Sequence, residues 1–443
     1  MRRVWLVLAL VAVGCGGSHR NPPVTATPAT SAPVLTATTT CQAFKDAKCS
    51  VLRVPLDRSH PGARSLALHV AVAGKRSDPV FLVLSGGPGE AGLFLLKSAR
   101  RWLGPVAGRV RLVAIDQRGT GRDALQCPAL QQAMGASDLT PPSARAVKDC
   151  AAAVGDQRRF FTTRDTVQDI EDLRLALHAD RLALDGTSYG TFVAQRYALA
   201  HPAHVSALVL DSVVPSEGAS LLSEVSIKAT ARVLGPRTAA QLAQVVKAQH
   251  NGPALLDALT GLSVGAPRGN AAPRAIAAAA NGNPGPLNGL IAGVRKVMHS
   301  WDAGQLSQGL HASTLCADTP APWGSAAAPL DGRREALERA ASKIDPYPYD
   351  RATLTGNGFA QQCLNWPPVD VPEPAAAGVL PNVPTLMLGG DRDLSTPLEW
   401  TQSAAEFAPH AKLIVAHGAG HGVQSQGVPE AIAALRRLVA SLR

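Results

Sequence analysis

The sequence of 443 residues has no P-loop pattern and no cluster of basic residues. Its 43 Lys and Arg exceed its 33 Asp and Glu and give a net charge of +10, yet the basic residues are scattered along the chain. Domains that bind nucleic acid concentrate basic residues and interleave them with aromatic side chains, which make up only 4% of this chain. We therefore expect no nucleic-acid partner, no nucleotide or other cofactor, and no metal ion.

The apolar run near the N-terminus, residues 4–13, is too short to span a membrane. Two arginines precede it, an order that is typical of a secretory signal. Residues 12–15, Ala-Val-Gly-Cys, resemble a bacterial lipobox, although Leu is usual at the first position. We expect a signal peptide at 1–15 and a lipid anchor on Cys15. The alternative is an ordinary signal peptide that is cleaved nearby and leaves this cysteine unmodified.

Residues 16–40 are rich in Pro, Thr, Ala and Ser and contain almost no large apolar side chain. Such a segment cannot bury enough apolar surface to fold, so we expect a disordered tether. The other cysteines agree with export, to the bacterial cell envelope or the medium, because disulfides persist in oxidising compartments. Their number allows fifteen pairings, of which the pairing of neighbours is the simplest: Cys41, Cys49, Cys127, Cys150, Cys316 and Cys363.

Short apolar runs alternate with helical patterns over much of the remaining chain. Two runs at 50–57 and 66–73 indicate an opening hairpin. Later runs suit buried strands: 80–84, 110–115, 182–184, 205–210, 385–388 and 412–415. This alternation predicts a mostly parallel sheet flanked by helices.

The alternation stops over residues 215–375, where the pattern is helical, and then resumes. We expect this stretch to be a cap, or lid, inserted between core segments 41–214 and 376–443. A separate tandem domain is disfavoured because the strand pattern returns afterwards.

A Gly-Thr-Ser-Tyr-Gly turn at 186–190 follows one of these strands and precedes a helical pattern. Gly-x-Ser-x-Gly in this context is the nucleophile elbow of α/β-hydrolases. The tight turn requires glycine on both sides of the serine. We therefore assign Ser188 as nucleophile and the backbone N–H of Tyr189 as one oxyanion donor. A chance glycine-rich loop, in a chain with 40 glycines, is disfavoured by the context.

A second glycine turn, Ser-Gly-Gly-Pro-Gly at 85–89, follows the first buried strand. In α/β-hydrolases the loop at this place supplies the other oxyanion N–H. We assign Gly87 as that donor, with Gly86 as the alternative.

Asp116 and Arg118 follow the next strand closely. They carry charges that an active site could use. We expect them instead to form a structural ion pair beneath the active site.

The catalytic base and acid are expected in the loops after the last two strands, which gives the order Ser…Asp…His of the α/β-hydrolases. His421 lies between two glycines in a loop that can reach Ser188, whereas His417 follows the strand at once and is expected to pack. Asp393 precedes a Thr-Pro pair that can begin a helix and fix the loop. Asp391 is the alternative acid.

From about residue 41 to the C-terminus the chain resembles the tripeptidyl-aminopeptidase-like branch of the α/β-hydrolases, which is related to the prolyl iminopeptidases. Nine motifs carry the resemblance: VPLDRSHPG (54–62), LSGGPGEAG (84–92), DQRGTGRD (116–123), TTRDTVQDIEDLR (162–174), DGTSYGTFVAQRYALAHP (185–202), LCADTP (315–320), CLNWP (363–367), GGDRDLSTP (389–397) and GAGHG (418–422). It implies Ser188 as nucleophile, Asp393 of the D-x-x-T-P element as acid, and His421 as base.

The same resemblance bears on two finer points. The CADTP and CLNWP motifs resemble the family's cap cysteines, which supports a Cys316–Cys363 bridge. Ser85 is a departure, since the relatives often carry His there. The change affects the polarity of the pocket and leaves the oxyanion amides in place.

The resemblance implies an exported enzyme that removes short peptides or single residues from peptides with free N-termini. Such an enzyme needs a buried carboxylate for the substrate ammonium, and we expect Asp318 of the cap to serve. Its alternative role is that of a helix residue that stabilises the cap. An esterase or lipase on the same triad is the alternative activity. A binding protein on an inactive hydrolase fold is disfavoured, because neither the triad nor the oxyanion turn is broken.

Overall fold

One mixed β-sheet runs through the described part of the protein. The computed structural model describes residues 32–42, 44–265, 271–372 and 377–442, so the predicted signal peptide, Cys15 and residues 16–31 of the tether lie outside the described residues. The described strands are β1 (Leu35–Thr40), β2 (Lys48–Pro55), β3 (Ser65–Ala73), β4 (Val80–Leu84), β5 (Arg111–Ile115), β6 (Leu182–Thr187), β7 (Val205–Asp211), β8 (Thr385–Gly390) and β9 (Ala411–Ala416).

The strands lie in the order β1-β2-β3-β5-β4-β6-β7-β8-β9. β1, β2, β3 and β5 pair antiparallel, and every pair from β5 through β4 to β9 is parallel. The predicted mostly parallel sheet is therefore confirmed. Because the parallel strands point the same way, their carboxyl ends meet along one edge of the sheet.

Among the described residues, seven helices accompany the strands: α1 (Leu95–Leu103), α2 (Pro128–Met134), α3 (Ala144–Val154), α4 (Thr163–Ala176), α5 (Tyr189–Ala200), α14 (Leu398–Glu406) and α15 (Pro429–Ala440). Short 3₁₀ helices lie at Gly104–Arg109, Gly121–Asp123, Gly155–Phe160 and Pro202–His204. In the described ranges, no helix combines the length and apolar character that crossing a membrane requires.

Helices cover both faces of the sheet with separate apolar clusters. On one face α4 and α5 contribute buried residues such as Leu173 and Tyr197. On the other face α1 and α15 contribute residues such as Leu96 and Leu435. The buried strand β4 faces both clusters, which explains why its sequence, VFLVL, is apolar throughout.

The described residues between β7 and β8 form helices: α6 (Glu224–Gln249), α7 (Gly252–Gly265), α8 (Ala272–Ala280), α9 (Gly285–Met298), α10 (Gln308–Asp318), α11 (Arg333–Ala341), α12 (Arg351–Gly356) and α13 (Gly358–Asn365). α6 kinks at Gly235, which has a φ of 75° and precedes Pro236. All of these helices except α10 share an apolar cluster that includes Leu242, Leu255 and Ile276. The inserted cap at 215–375 stays a prediction that this cluster supports.

The predicted tether does not extend to Thr40, because residues 35–40 form β1. β1 pairs antiparallel with β2, and Thr38 and Ser50 hydrogen-bond through their hydroxyl groups at 2.8 Å. The strand is exposed along most of its length, so its sequence lacks the apolar pattern by which a buried strand is predicted. Its four threonines are β-branched and favour extended backbone once a partner strand is present.

The six described cysteines form three disulfides between neighbours: Cys41–Cys49, Cys127–Cys150 and Cys316–Cys363. This is the pairing expected from the sequence. The third joins α10 to α13 and so ties together two helices of the segment between β7 and β8.

The expected ion pair between Asp116 and Arg118 is wrong. Asp116 Oδ1 accepts the backbone N–H groups of Gly92 and Leu93, at 2.8 and 3.0 Å. Arg118 forms two hydrogen bonds to Asp169 of α4, from Nε to Oδ2 at 2.6 Å and from Nη2 to Oδ1 at 2.7 Å. Each of the two side chains has its partner on a different segment of the chain.

Candidate active site

Ser188 occupies a strained turn between β6 and α5. Its φ of 57° and ψ of −128° are unusual for any residue other than glycine. The turn is held by the Ser188 N–H, which donates to the Asp211 carbonyl at 3.0 Å, and by the Thr191 N–H, which donates to the Ser188 carbonyl at 2.8 Å. Strain of this kind collects at functional sites when the surroundings enforce it. The serine therefore sits at the carboxyl edge of the sheet.

The two glycines of the turn are sterically required. A Cβ atom on Gly186 would overlap the Gly190 carbonyl, and one on Gly190 would overlap the Leu84 carbonyl at the end of β4. The turn thus packs directly against the neighbouring strand. This packing is the physical reason for the Gly-x-Ser-x-Gly pattern.

His421 and Asp393 form a hydrogen-bonded pair at the same edge. His421 Nδ1 lies 2.9 Å from Asp393 Oδ2. Burial lowers the pKa of His421, but the Asp393 carboxylate outweighs burial and raises the pKa above its usual value. With Nδ1–H donated to the carboxylate, Nε2 is left as the basic nitrogen.

Asp393 is fully buried and held by its own loop. Its Oδ1 accepts the backbone N–H groups of Ser395 and Thr396, at 2.8 and 3.0 Å. Its Oδ2 accepts the Thr396 hydroxyl at 2.8 Å in addition to His421. The D-x-x-T-P pattern therefore fixes the orientation of the Asp393 carboxylate through the loop's own hydrogen bonds. Among the described residues no Lys or Arg pairs with it.

In the glycine turn after β4, at 85–89, one backbone N–H is already hydrogen-bonded within the protein. Gly86 donates its N–H to Glu90 Oε2 at 3.0 Å, and Ser85 Oγ donates to the Glu90 carbonyl at 2.8 Å. The Gly87 N–H meets no acceptor among the described residues, and Gly87 borders the same pocket as Ser188 and Tyr189. Tyr189 is the first residue of α5, where backbone N–H groups lack intrahelical partners. Among the described residues, the N–H groups of Gly87 and Tyr189 are therefore available to an acceptor in this pocket, and their role as oxyanion donors stays a prediction.

A family profile described as the alpha/beta hydrolase fold matches residues 79–428, and the elbow and loop pair above lie within that span. The chain belongs to the α/β-hydrolase fold family.

Known α/β-hydrolases that resemble the chain carry peptidase names. It is 28% identical to the tripeptidyl aminopeptidase of Streptomyces lividans over 193 residues, which are 38% of this chain and 36% of that protein. It is 28% identical to the serine protease Hip1 of Mycobacterium tuberculosis over 243 residues, which are 48% of this chain and 46% of that protein. The match thus spans less than half the length of either relative. These names confirm the resemblance carried by the motifs.

Among solved structures, the crystal structure of a proline iminopeptidase-related protein from Thermus thermophilus resembles the chain. The alignment covers 88% of this chain and 97% of the Thermus thermophilus chain. The identity is 18% and the TM-score is 0.39.

The alternative acid and base pair with each other at the surface of this α/β-hydrolase. His417 Nδ1 lies 3.0 Å from Asp391 Oδ2, and the His417 side chain is 85% exposed. Asp391 also accepts the Gly418 N–H at 2.7 Å. The expectation that His417 packs is therefore wrong, and the choice of His421 and Asp393 as base and acid stays a prediction.

Ser263 of α7 joins the loops that carry Asp393 and His421. Its carbonyl accepts the His421 N–H at 3.0 Å, and its hydroxyl accepts the Leu394 N–H at 3.1 Å. The segment between β7 and β8 thus helps to fix the site. Sequence reasoning missed this contact, because no local pattern marks a serine that binds two distant loops.

Asp318 borders the pocket of Ser188, as expected, but its carboxylate is partly committed. Oδ2 accepts the Thr163 N–H in the first turn of α4 at 2.6 Å. Burial raises the pKa of Asp318 to about 6. The alternative role, a residue that stabilises the contact between helices, therefore accounts for at least one of its oxygens.

The sequence contains a His-x-x-His pair, His201 and His204, which the expectation of no metal ion overlooked. Ligand atoms of both lie within 4.8 Å of those of Glu171. Glu171 already accepts Arg174 Nη2 at 2.6 Å and the Tyr197 hydroxyl at 2.8 Å. Burial opposes these bonds, which nevertheless lower the Glu171 pKa to about 2. A metal ion would have to bind beside the guanidinium, so we interpret the cluster as an ion-pair network.

Proposed function

We propose that the protein is a serine hydrolase that releases single residues or short peptides from peptides with free N-termini. Ser188 is the nucleophile, His421 the general base and Asp393 the carboxylate that orients the base. The observation that carries the proposal is the His421–Asp393 hydrogen bond at the sheet edge that also bears the strained Ser188 turn.

The chemistry follows from these positions. His421 Nε2 takes the Ser188 hydroxyl proton as Oγ attacks the scissile carbonyl, and the Gly87 and Tyr189 N–H groups bind the resulting oxyanion. The imidazolium then gives its proton to the leaving amine, which leaves an acyl group on Ser188. Water activated by the same imidazole hydrolyses this ester and restores the serine.

The preference for peptides over other acyl compounds rests on two supports. The two relatives are named as a tripeptidyl aminopeptidase and a serine protease, although each match covers less than half of the relative. The pocket of Ser188 is also bordered by carboxyl groups, Asp138 and Asp318, and negative charge suits a substrate ammonium.

The proposal includes an exported protein with a lipid anchor on Cys15, through which it would associate with a membrane. Three disulfides support export. The test is the mass of the mature N-terminal peptide from membrane extracts of the native host. A diacylglycerol-modified Cys15 at the N-terminus supports the anchor, and an unmodified cysteine contradicts it.

The activity is tested with four substrates and two proteins. The purified protein and its Ser188→Ala variant would each be given a free-amine tripeptide anilide, its N-acetylated form, an aminoacyl anilide and a short-chain aryl ester. Cleavage of free-amine anilides but not the acetylated one, lost in the variant, is the expected result. Turnover of the ester alone would identify an esterase. The absence of any Ser188-dependent turnover would favour a binding protein on an inactive fold.

A further inference from the structure

Asp138 lies in the loop between α2 and α3 and borders the pocket of Ser188. No step of the proposed chemistry uses it. Its side chain is 28% exposed, and its Oδ1 lies 3.2 Å from Nε2 of His311, a fully buried residue of α10. No motif in the sequence marks either residue, because they lie far apart in the chain.

A chain of amide groups determines which nitrogen of His311 carries a hydrogen. Gln308 Nε2 donates to the carbonyls of Gly135 and Ser137, each at 3.1 Å, so its Oε1 is left to accept. Gln362 Nε2 donates to that oxygen at 3.4 Å. The Gln362 Oε1 therefore accepts from His311 Nδ1, at 2.8 Å. Nδ1 must carry the hydrogen, because backbone carbonyls at the far end of the chain can only accept.

With Nδ1 protonated, His311 Nε2 has no hydrogen-bond partner among the described residues, and Asp138 Oδ1 lies 3.2 Å from it as an ion-pair contact. A bare nitrogen lone pair 3.2 Å from a carboxylate oxygen would be repulsive in a buried place. The contact is an attractive ion pair only when His311 carries a proton on Nε2 as well. This contact orients the carboxyl group and leaves Asp138 Oδ2, which accepts no hydrogen bond from the described residues.

The loop that carries Asp138 is held in place by hydrogen bonds to α7 and α13. The hydroxyls of Ser137 and Thr140 each donate to the Asp257 carboxylate of α7 at 2.5 Å. The Gly358 N–H of α13 donates to the Leu139 carbonyl at 2.9 Å. Asp138 is therefore presented by a rigid loop, as a specificity residue needs to be.

Asp138 lies close enough to other titratable groups to affect their pKa values. Burial is the main cause of the raised pKa values of Glu90, about 7, and of Asp257, and the Asp138 carboxylate raises both further. The same carboxylate favours protonated His421. Asp138 is thus within electrostatic range of the catalytic base and of a carboxyl group on the oxyanion turn.

We propose that Asp138, positioned by His311, binds the primary ammonium group of the substrate. The inference rests on the proposed function and names the residue that would give it its requirement for a free N-terminus. Asp138 suits this role better than Asp318, whose Oδ2 is bonded to the N-terminus of α4. The ammonium would donate one N–H to Asp138 Oδ2 while His311 holds Oδ1.

The test compares Asp138→Asn with wild type and with Asp391→Asn, a matched change at a surface carboxylate outside the pocket. Each is assayed with an aminoacyl anilide and with an aryl ester that lacks an amine, and Ser188 is labelled with a fluorophosphonate to check that the site is intact. For Asp138→Asn we expect kcat/KM on the anilide to fall about 10- to 100-fold, mainly through KM, because a hydrogen bond to a charged group is lost. The loss on the ester should be much smaller than the loss on the anilide, and Ser188 should still be labelled.

His311 is tested as a positioning residue by a pair of variants. His311→Gln keeps an N–H donor toward Asp138, whereas His311→Leu removes it. The anilide KM should rise in the leucine variant and stay near the wild-type value in the glutamine variant, with ester KM unchanged in both.

The outcomes separate this inference from the proposed function. If wild type prefers free amines and Asp138→Asn keeps that preference, the inference is wrong and the proposed function stands. Equal losses on anilide and ester with reduced labelling would assign Asp138 a structural role and overturn the inference. If wild type shows no preference for free amines, both fail together.

Discussion

Asp211 Oδ2 accepts the backbone N–H of Gln424 at 2.8 Å and thereby joins the end of β7 to the loop that carries His421. The other oxygen accepts the Val423 N–H at 2.9 Å. Burial raises the pKa of Asp211 to about 6, although these two bonds oppose the shift. The position of His421, the proposed catalytic base, thus depends on a buried carboxylate outside the loop of Asp393.

Asp211→Asn should reduce activity without changing the triad itself. The variant places an NH₂ group against a backbone N–H, and the lost bond to a charged acceptor is worth about 1.5–3 kcal/mol. We expect kcat/KM to fall about 10- to 100-fold as His421 loses its position. Asp391→Asn, which removes a surface carboxylate that also accepts a backbone N–H, should change it less than about threefold. Equal effects in the two variants would contradict this account.

The pH dependence of the reaction should report His421. Its pKa is raised by Asp393, so the base is protonated and inactive below a pH that lies above the usual imidazole value of about 6.5. kcat/KM should therefore fall as pH decreases through that point. Asp393→Asn should shift this limb to lower pH and reduce kcat by about 10⁴-fold. An unshifted acid limb in the variant would assign the titration to another group.

The serine at position 188, which activity requires, should lower the stability of the protein. Its φ of 57° and ψ of −128° are tolerated by glycine but costly for serine. Ser188→Gly should raise the free energy of unfolding by about 1 kcal/mol. Ser188→Ala keeps the Cβ atom and should leave it nearly unchanged, while both variants lose activity. Urea unfolding measures the free energy of unfolding of wild type and of the two variants. Equal values for the glycine and alanine variants would mean that the turn is not strained.

Asp185 should make the protein less stable as pH rises. Burial, with a smaller effect of Asp211, raises the pKa of Asp185 to about 7 in the folded state, against about 3.8 unfolded. Between these values the folded state binds more protons than the unfolded state, so the free energy of unfolding falls with increasing pH. Asp185 Oδ2 is buried without a hydrogen-bond partner in the described part of the chain, which agrees with a neutral carboxyl.

Asp185→Asn imitates the protonated form and keeps the oxygen that accepts Gln424 Nε2 at 2.9 Å. The variant should be more stable than wild type at about pH 8, and its stability should fall less between about pH 5 and pH 8. Urea unfolding at both pH values measures this. Parallel pH profiles for the two proteins would show that Asp185 is ionised when folded.

The sequence predicts the strands and the elbow because their physical requirements are local. A strand covered on both faces must be apolar, as Val80–Leu84 is, and the turn at Ser188 admits only glycine beside it. β1 escaped prediction because it is exposed and depends on pairing with β2.

Side-chain partnerships across the chain are harder to predict. Arg118 pairs with Asp169 instead of Asp116, and Asp138 meets His311 from a distant helix. Nothing in the local sequence distinguishes these residues from others of their type. Only the packing of α4 and α10 against the loops of the sheet brings the partners together.

We propose that Ser188 takes up the N-terminal part of a peptide with a free amine as an acyl group. The most direct measurement is acid quenching during turnover of such a peptide ester, followed by digestion and mass spectrometry of the fragment that contains Ser188. We expect that fragment to gain the mass of the N-terminal acyl portion, and to gain nothing from the N-acetylated ester. Rapid turnover without any adduct on Ser188, or equal adducts from both esters, would contradict the account.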